Sequence, residues 1–445
     1  MNLRYSLNKV WQSDTQKVMS LTVFGMMLTF VMDIAIAARL GTGQTADSLI
    51  LALTLPILLD TVVREGTKSS LVPLFMEQKV NLSPRKFQYF ISGLLNLGFI
   101  IGIVITIAIE VLAPGVVPLI APKLSATGQA QTLFLLQVCA PLIVFVPNIT
   151  VLSVFLNSQK NFSLAAMRNA IAPGFVVFAL LVFWESPEIS YLIGATHVVG
   201  FGIFFAMLFL ESYRSGLKYK WWALPSRKDL QKLGSFSSYP TLGFTLTQAL
   251  RLGERLLASM VAVGGVSAYY FALRIFSATQ TVIGVSIATT SLPEMTEQNL
   301  AGNQSYFSRI VRKNLSRTLV LTVPITIAII FFHKTIISVL YGRGAFDAAS
   351  VDLTSQILFW MGLGLMFNCI IPPLHSVLYA QKQYKTVFIN MMIIVTINLV
   401  LAWFLSQTIG LIGISIALSV AVTVGAFRLF YLLHQAGIYL IPQLK

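Results

Sequence analysis

The sequence predicts an all-α polytopic membrane protein, with about twelve transmembrane helices in two parallel-repeat six-helix lobes around a central cavity. Its composition, the spacing of its apolar runs and an internal repeat each point there. Of 445 residues, 56% are hydrophobic and only 11% charged, against about 25% charged in a typical soluble globular chain. With a mean hydropathy of +0.79, that balance excludes an ordinary cytosolic enzyme. Apolar runs of about 20 residues recur along the chain, the length a helix needs to cross roughly 30 Å of hydrocarbon.

Taken in order, the runs place spans near 18–39, 47–75, 88–112, 131–156, 164–184, 189–211, 238–260, 265–290, 317–340, 353–378, 386–406 and 409–432. No signal peptide with a small-residue cleavage site precedes the first span, which reads as an uncleaved anchor. The second is apolar from Leu49 to Leu59, with Thr54 the one polar exception, and then turns charged. Cys139 and Cys369 fall in different spans and frame neither a disulfide nor a metal site. The hydrophilic stretch Glu211 to Gly234 carries Lys218, Lys220, Arg227, Lys228 and Lys232 and reads as a solvated linker. It separates an N-terminal lobe, 1–225, from a C-terminal lobe, 226–445. Asn390 and Asn398 in span eleven read as polar residues packing helices together or as part of a sodium site.

Net charge is +15, from 31 Lys and Arg against 16 Asp and Glu, and on a soluble protein that would suggest a polyanion such as nucleic acid. Position decides otherwise. With the N-terminus inside, 22 of the 31 basic residues, Arg168 and Arg428 among them, lie in or beside cytoplasmic segments. Only Arg39, Lys123, Lys334 and Arg343 face the other side, so the positive-inside rule places both termini in the cytoplasm. Membrane lipids are expected partners and nucleic acid is not.

Setting Ala46–Gln78 against Val266–Gln298 at a constant offset of 220 pairs seven identities: Ala52/Ala272, Leu53/Leu273, Thr61/Thr281, Val62/Val282, Pro73/Pro293, Glu77/Glu297 and Gln78/Gln298. At an offset of 222, Leu152, Leu156, Gln159 and Lys160 match Leu374, Leu378, Gln381 and Lys382. Such an offset carries six spans, an even number, so the halves have the same orientation and form a parallel repeat. Transporters built this way hold substrate between the lobes near the bilayer midplane and alternate access by rocking them.

Charges where lipid should be narrow the function. Asp33 lies in span one, Asp60, Arg64, Glu65 and Lys68 in span two, Arg251, Glu254 and Arg255 in span seven, and Arg274 in span eight. A lipid-facing helix hardly tolerates these at about 2.5–3.5 kcal/mol per central charge, so they must face protein or water. Asp60, Arg64 and Lys68 are spaced i, i+4, i+8 and share one face, acid N-terminal to base. At about 1.5 Å per residue, Asp60, Arg251 and Arg274 lie near the middle of their spans, so the groups can converge on one cavity. Two readings stay open. Asp33, Asp60, Glu65 and Glu254 neutralise the cations in a network that holds helices together, or Arg64, Lys68, Arg251, Arg255 and Arg274 serve a phosphate or pyrophosphate, which guanidinium grips bidentately. The histidines are scattered without ligand spacing, and HExxH, GxSxG and P-loop signatures are missing. Catalysis, ATP hydrolysis and a bound cofactor are therefore not expected.

The stretch ARLGTGQTADSLILALTLPILLDTVVREGTKSSLVPLF (Ala38 to Phe75), the run YYFALRI (Tyr269 to Ile275) followed by Leu292 and Pro293, and YGRGAFD (Tyr341 to Asp347) resemble the MurJ/MviN family of lipid-linked oligosaccharide flippases, within the MOP transporter superfamily. The resemblance covers most of the spans. It implies a carrier of undecaprenyl-pyrophosphate-linked glycans across the bacterial inner membrane, with basic residues near the pyrophosphate and with Asp33, Asp47, Glu65 and Arg274 at positions the family pattern favours. RGAFD by itself reads as a structural turn. Met32 stands where the family usually has an arginine before the span-one aspartate, and Asp60 and Thr61 stand where it has an arginine pair. Arg64 and Lys68 can replace those cations from one or two helical turns away. Peptidoglycan-precursor flippases have fourteen spans, and these departures together point to a related carrier, for an exopolysaccharide or O-antigen repeat unit, rather than to lipid II.

The expected function is thus a flippase that receives a polyprenyl-pyrophosphate-linked glycan, holds its phosphates with the cavity cations and releases it on the far side by alternating access. Two alternatives stand beside it: an ion-coupled drug or metabolite exporter of the same superfamily, and a non-transporting scaffold of a polysaccharide synthesis complex. Proteins of glycan synthesis or polymerisation are expected partners.

Overall fold

The structure, a computed structural model, describes residues 2–159 and 161–435 apart from the side chains at 2–16, 66–70, 72, 73, 228 and 232–241. Its elements are helices joined by short turns, with no strand among the described residues. The first six of the expected spans become α1 (Asn2–Leu40), α2 (Gln44–Asn81), α3 (Pro84–Ile120), α4 (Ala126–Cys139) with α5 (Leu142–Ser158), the single turn α6 (Ser163–Ala166) with α7 (Arg168–Val182), and α8 (Ile189–Arg214). The second six become α9 (Arg227–Val261), α10 (Gly265–Thr279) running through a π-helical turn into α11 (Ser286–Leu300), α12 (Gln304–Tyr341), α13 (Ala348–Ala380), α14 (Tyr384–Ile409) and α15 (Leu411–Gln435).

Ten of these segments are long and apolar enough to cross a membrane among the described residues, so the chain is an all-α polytopic membrane protein. Two expected spans fall outside that measure for opposite reasons. The 15-residue helix α7 rises about 22 Å at 1.5 Å per residue, less than a bilayer core. Helix α9, with 35 residues, is long enough but carries Arg251, Glu254 and Arg255 within its apolar stretch. Local chemistry sets the breaks. Pro84 takes the first turn of α3, where its missing N–H is no loss. Pro141 separates α4 from α5, and Gly410, with φ of 64°, turns the chain from α14 into α15 in one residue.

Two compact units divide the chain: Met1–Arg39 with Ser48–Thr245, and Leu40–Asp47 with Leu246–Lys445. In each, the third helix of the expected repeat packs on the fourth, the fifth on the sixth and the sixth on the fourth: α3 on α5, α7 on α8 and α8 on α5 in the first unit, α12 on α13, α14 on α15 and α15 on α13 in the second. Repeat partners share environments. Ala52 and Ala272 are fully buried, and Leu53 and Leu273 nearly so. The hydroxyls of Thr61 and Thr281 each donate to the carbonyl four residues back, Ile57 O at 3.0 Å and Ser277 O at 2.9 Å. Lys160, a member of the second set of matches, lies outside the described residues.

Helices in hydrocarbon gain nothing by hiding apolar surface from lipid, so they associate through close packing over small residues. A Cβ on Gly200 of α8 would stand 2.7 Å from Ala172 Cα on α7, and one on Gly364 of α13 would stand 2.6 Å from Ser419 Cα on α15. Toward one end of the first unit the packing turns aromatic, with Phe75 edge-on to Phe87 and Phe90 above Leu74, Ile91, Phe155 and Leu208.

Residues 40–47 belong with the second unit because of one carboxylate. Asp47 is buried, and its Oδ2 accepts the Gly264 N–H at 2.6 Å while its Oδ1 accepts the Ser267 N–H at 2.8 Å and the Ser267 hydroxyl at 2.7 Å. It thereby caps the start of α10, whose first N–H groups have no intrahelical acceptor. Gly264 sits at φ of 81°, and a Cβ there would meet Thr42 O at 2.8 Å. Thr42 in turn donates to Ser350 Oγ at 2.7 Å at the start of α13. Removing a buried acceptor leaves its donors unsatisfied at about 1–3 kcal/mol. Asp47→Ala should therefore speed amide exchange at residues 264–268 by roughly 5- to 150-fold, with Asp47→Asn in between. Hydrogen-exchange mass spectrometry of the purified protein reads this, and unchanged exchange would show that the cap contributes nothing.

Candidate functional site

The spacing of the span-two charges has the effect a helix dictates: Asp60, one turn before Arg64, lies on the same face of α2. Arg64 Nε approaches Asp60 Oδ2 at 3.7 Å, and its NH1 bonds the neighbouring Glu65 carboxylate. A second guanidinium comes from α7, where Arg168 pairs tightly with Asp60 Oδ1 while its Cζ stands 6.0 Å from the centre of the Phe201 ring of α8. Asp60 is thus shared by two arginines at a side-chain exposure of 11%. Asp33 of α1 is fully buried. The Lys68 side chain lies outside the described residues; its backbone continues α2 one turn beyond Arg64.

Arg168 adds to the sequence reading, which places it in or beside a cytoplasmic segment and assigns it no partner. It opens α7 and is mostly buried against Asp60. The signal was present in its position inside the expected 164–184 span, yet nothing in the sequence says that α7 lies against α2.

The second unit holds the other cluster. Glu254 of α9 is fully buried, accepts Arg251 NH1 at 3.1 Å and accepts Asn398 Nδ2 of α14 at 2.8 Å. Arg255, 9% exposed, stacks its guanidinium 5.5 Å from the centre of the Tyr270 ring of α10. Arg274 follows Tyr270 by one turn on the same face of α10 and is half-buried. Asn390 of α14 lies between His375 of α13, at 3.3 Å, and Arg428 of α15, whose NH1 donates to Asn390 Oδ1 at 3.1 Å. Arg428, a basic residue near a span end, is likewise built into a polar contact between helices.

Within each unit the structure joins residues that the sequence had grouped by pattern, Asp60 with Arg64 and Glu65, and Arg251 with Glu254. With Arg168 added, six cations face four carboxylates in the expected set. A guanidinium offers five donors and one carboxylate engages at most two of them directly. An arginine tethered beside its acid can therefore take a phosphate oxygen without first losing its partner. Among the described residues no group of three His, Cys, Asp or Glu side chains could hold a metal ion.

The RGAFD motif is a structural turn. Phe346 is buried against Phe271 and Tyr341, with ring centres 5.7 Å away in each case. Arg343 NH2 donates to Val339 O at 2.6 Å and Leu340 O at 3.0 Å, closing α12. Asp347 caps α13 by accepting Ser350 N–H at 2.8 Å, which holds its carboxyl below the usual carboxylate range. The cap is therefore present at neutral pH and lost only as pH falls through that lowered value. A groove of about 750 Å³, lined by Lys334, Ser338, Arg343 and Val351, opens beside the turn and includes none of the clustered charges.

Comparison with known proteins places this geometry. A model of the family described as "Lipid II flippase MurJ" matches residues 36–444. A probable lipid II flippase MurJ of Rhizobium meliloti is 27% identical over 428 residues, covering 94% of this chain and 79% of the relative. One from Thermotoga maritima is 25% identical over 409 residues, covering 91% and 81%. Among solved structures, a lipid II flippase MurJ in an inward closed conformation superposes with a TM-score of 0.82 at 22% identity, over 94% of this chain and 87% of that one. An inward-facing multidrug resistance MATE family transporter of the MOP superfamily gives 0.72 at 15% identity, over 93% and 94%. At such identities the structural likeness speaks for the fold alone.

Breaking a buried ion pair on one side costs about 3–5 kcal/mol, because the remaining charge is stranded. Asp60→Asn or Arg168→Gln alone should lower stability by about that amount, and the double variant should recover most of the loss. A double-mutant cycle on unfolding midpoints in detergent measures the coupling, and additive losses would show that the pair is not coupled.

Proposed function

The chain belongs to the lipid II flippase MurJ family, and we propose that it carries a polyprenyl-pyrophosphate-linked cell-wall precursor across the bacterial inner membrane, holding the pyrophosphate with Arg64, Lys68, Arg251, Arg255 and Arg274. The observation that carries the reading is the match over residues 36–444, nearly the whole helical body. It favours a cell-wall precursor over the exopolysaccharide or O-antigen unit that Met32, Asp60 and Thr61 suggested. The family is one of carriers and not of enzymes, in keeping with a sequence that lacks hydrolase and ATPase signatures. The asymmetry of basic residues supports placing both termini in the cytoplasm.

The chemistry of the second cluster supports the assignment. The Arg255 guanidinium lies over the Tyr270 ring, and Arg274 follows one turn later on the same helix face. A pyrophosphate presents several charged oxygens to such planar forks, and charge-assisted bidentate bonds are about twice as strong as neutral ones. Glu254, tied by Arg251 and Asn398, holds the arginine-bearing face of α9 in place and limits the local charge. When the substrate arrives, phosphate shares the guanidinium donors with that carboxylate. When it leaves, the pair of Arg251 with Glu254 remains, so that cation is not stranded in the membrane.

The test is export of precursor in cells depleted of their own flippase. Arg274→Ala should reduce the precursor reaching the outer face by roughly 10- to 150-fold, the factor for a lost charged hydrogen bond of about 1.5–3 kcal/mol. Arg274→Lys, which keeps the charge without the fork, should recover only part. Undiminished export with the Ala variant present in the membrane would overturn the assignment.

A further inference from the structure

Between α8 and α9 the chain does not hang loose. Residues 215–226 lie as a strap along one face of α3, within the first unit, fastened by side chains at i, i+4 and i+8. Gln88 accepts the Lys218 N–H at 2.9 Å and donates to Gly216 O at 2.9 Å. Ser92 accepts the Lys220 N–H at 3.0 Å. Asn96, buried, donates to the carbonyls of Lys220, Trp221 and Ala223 at 3.0, 2.9 and 2.7 Å and accepts the Tyr219 hydroxyl. Gly93 makes the approach possible, since a Cβ there would stand 2.7 Å from Pro225 N.

Fastened inward through its backbone, the strap presents several of its largest side chains outward. Leu217 and Ala223 are buried, while Trp221, Trp222 and Leu224 are 75%, 58% and 57% exposed. The two indoles meet edge to face with centres 5.5 Å apart, and they are two of only six tryptophans in the chain. From 212 to 228 there are five basic residues and no acid. Arg214 and Lys218 are exposed, as are Arg85 and Lys86 at the start of α3.

The length of α3 fixes where this surface lies. Its 37 residues rise about 55 Å at 1.5 Å per residue, well beyond a core of roughly 30 Å. The stretch from 97 to 120 alone rises about 36 Å and suffices to cross. The first three turns, where the strap is fastened, therefore emerge at the membrane–water boundary. Paired tryptophans beside basic side chains at that depth match one occupant by chemistry: amphipathic indoles partition to the headgroup level, and clustered lysines and arginines attract anionic phospholipid headgroups.

We propose that the strap is an interfacial anchor in which Trp221, Trp222 and Leu224 enter the boundary of headgroups and acyl chains while Arg214, Lys218 and Lys220 hold the phosphates of anionic phospholipid. The anchor is independent of the transported substrate. It fixes the depth of the first unit in the leaflet and leaves the start of α9 to begin at a defined height.

The full chain in nanodiscs carrying equal fractions of brominated phosphatidylglycerol or brominated phosphatidylcholine tests this. The emission of the pair is taken as wild type minus Trp221→Phe/Trp222→Phe. It should be quenched by both lipids, roughly fivefold or more in favour of phosphatidylglycerol, and Lys218→Gln/Lys220→Gln should erase the preference while leaving quenching by phosphatidylcholine. Quenching by aqueous iodide with none by either lipid would mean a strap in water, open to a protein partner, and would overturn the proposal. Equal quenching by the two lipids would also overturn it. Should the tryptophan variant fail to fold, spin-labelled phosphatidylglycerol gives a second reading: its immobilised fraction should fall from wild type to Lys218→Gln/Lys220→Gln, and an unchanged fraction would count against the anchor.

Discussion

A charge within the span of a bilayer must be matched within a few ångströms or exposed to water, at about 2.5–3.5 kcal/mol for each one that is neither. Much else in the structure follows from that constraint. Asp60 is buried because Arg64 and Arg168 reach it from two directions, and Arg168 draws α7 onto α2. Glu254 is fully enclosed because Arg251 and Asn398 close on its two oxygens. Each cluster therefore fixes helices that have little hydrophobic reason to choose one another in lipid.

Neutral contacts complete what the charges begin. Small residues let helices approach at Gly200 with Ala172 and at Gly364 with Ser419. The carboxylate of Asp47 ties the turn after α1 to the first turn of α10 and, through Thr42, to α13. Gly41 in that turn, at φ of 62° and facing Ala345 O, and Gly264 just before α10, at 81° and facing Thr42 O, would each be strained by a side chain.

Much of this was legible in the sequence because membrane helices must satisfy their backbones internally and so declare themselves by length and apolarity. All twelve expected spans became helices, and the offset of about 220 residues reappears in the matched burial of Ala52 with Ala272 and Leu53 with Leu273. Spacing alone gave the contacts within one helix, Asp60 with Arg64 and Arg251 with Glu254. Contacts between helices were not legible. Arg168 and Arg428 sit near span ends, where a topology rule counts them as flanking charge, and only tertiary packing shows the first on Asp60 and the second on Asn390. The strap at 215–226 was hidden for the same reason: its basic residues satisfied the positive-inside rule, while the amide side chains that bind it, Gln88 and Asn96, belong to a helix more than a hundred residues earlier.

The account rests on the buried arginines recognising pyrophosphate as such, over and above the lipid chain that carries it. Binding of two lipids with the same polyprenyl chain, one ending in pyrophosphate and the other in monophosphate, measures this directly on the purified protein. A preference of roughly tenfold or more for the pyrophosphate, one further charge-assisted bond, is what the account predicts. Equal affinity for the two would mean that the guanidinium groups serve their carboxylates alone, and it would contradict the account.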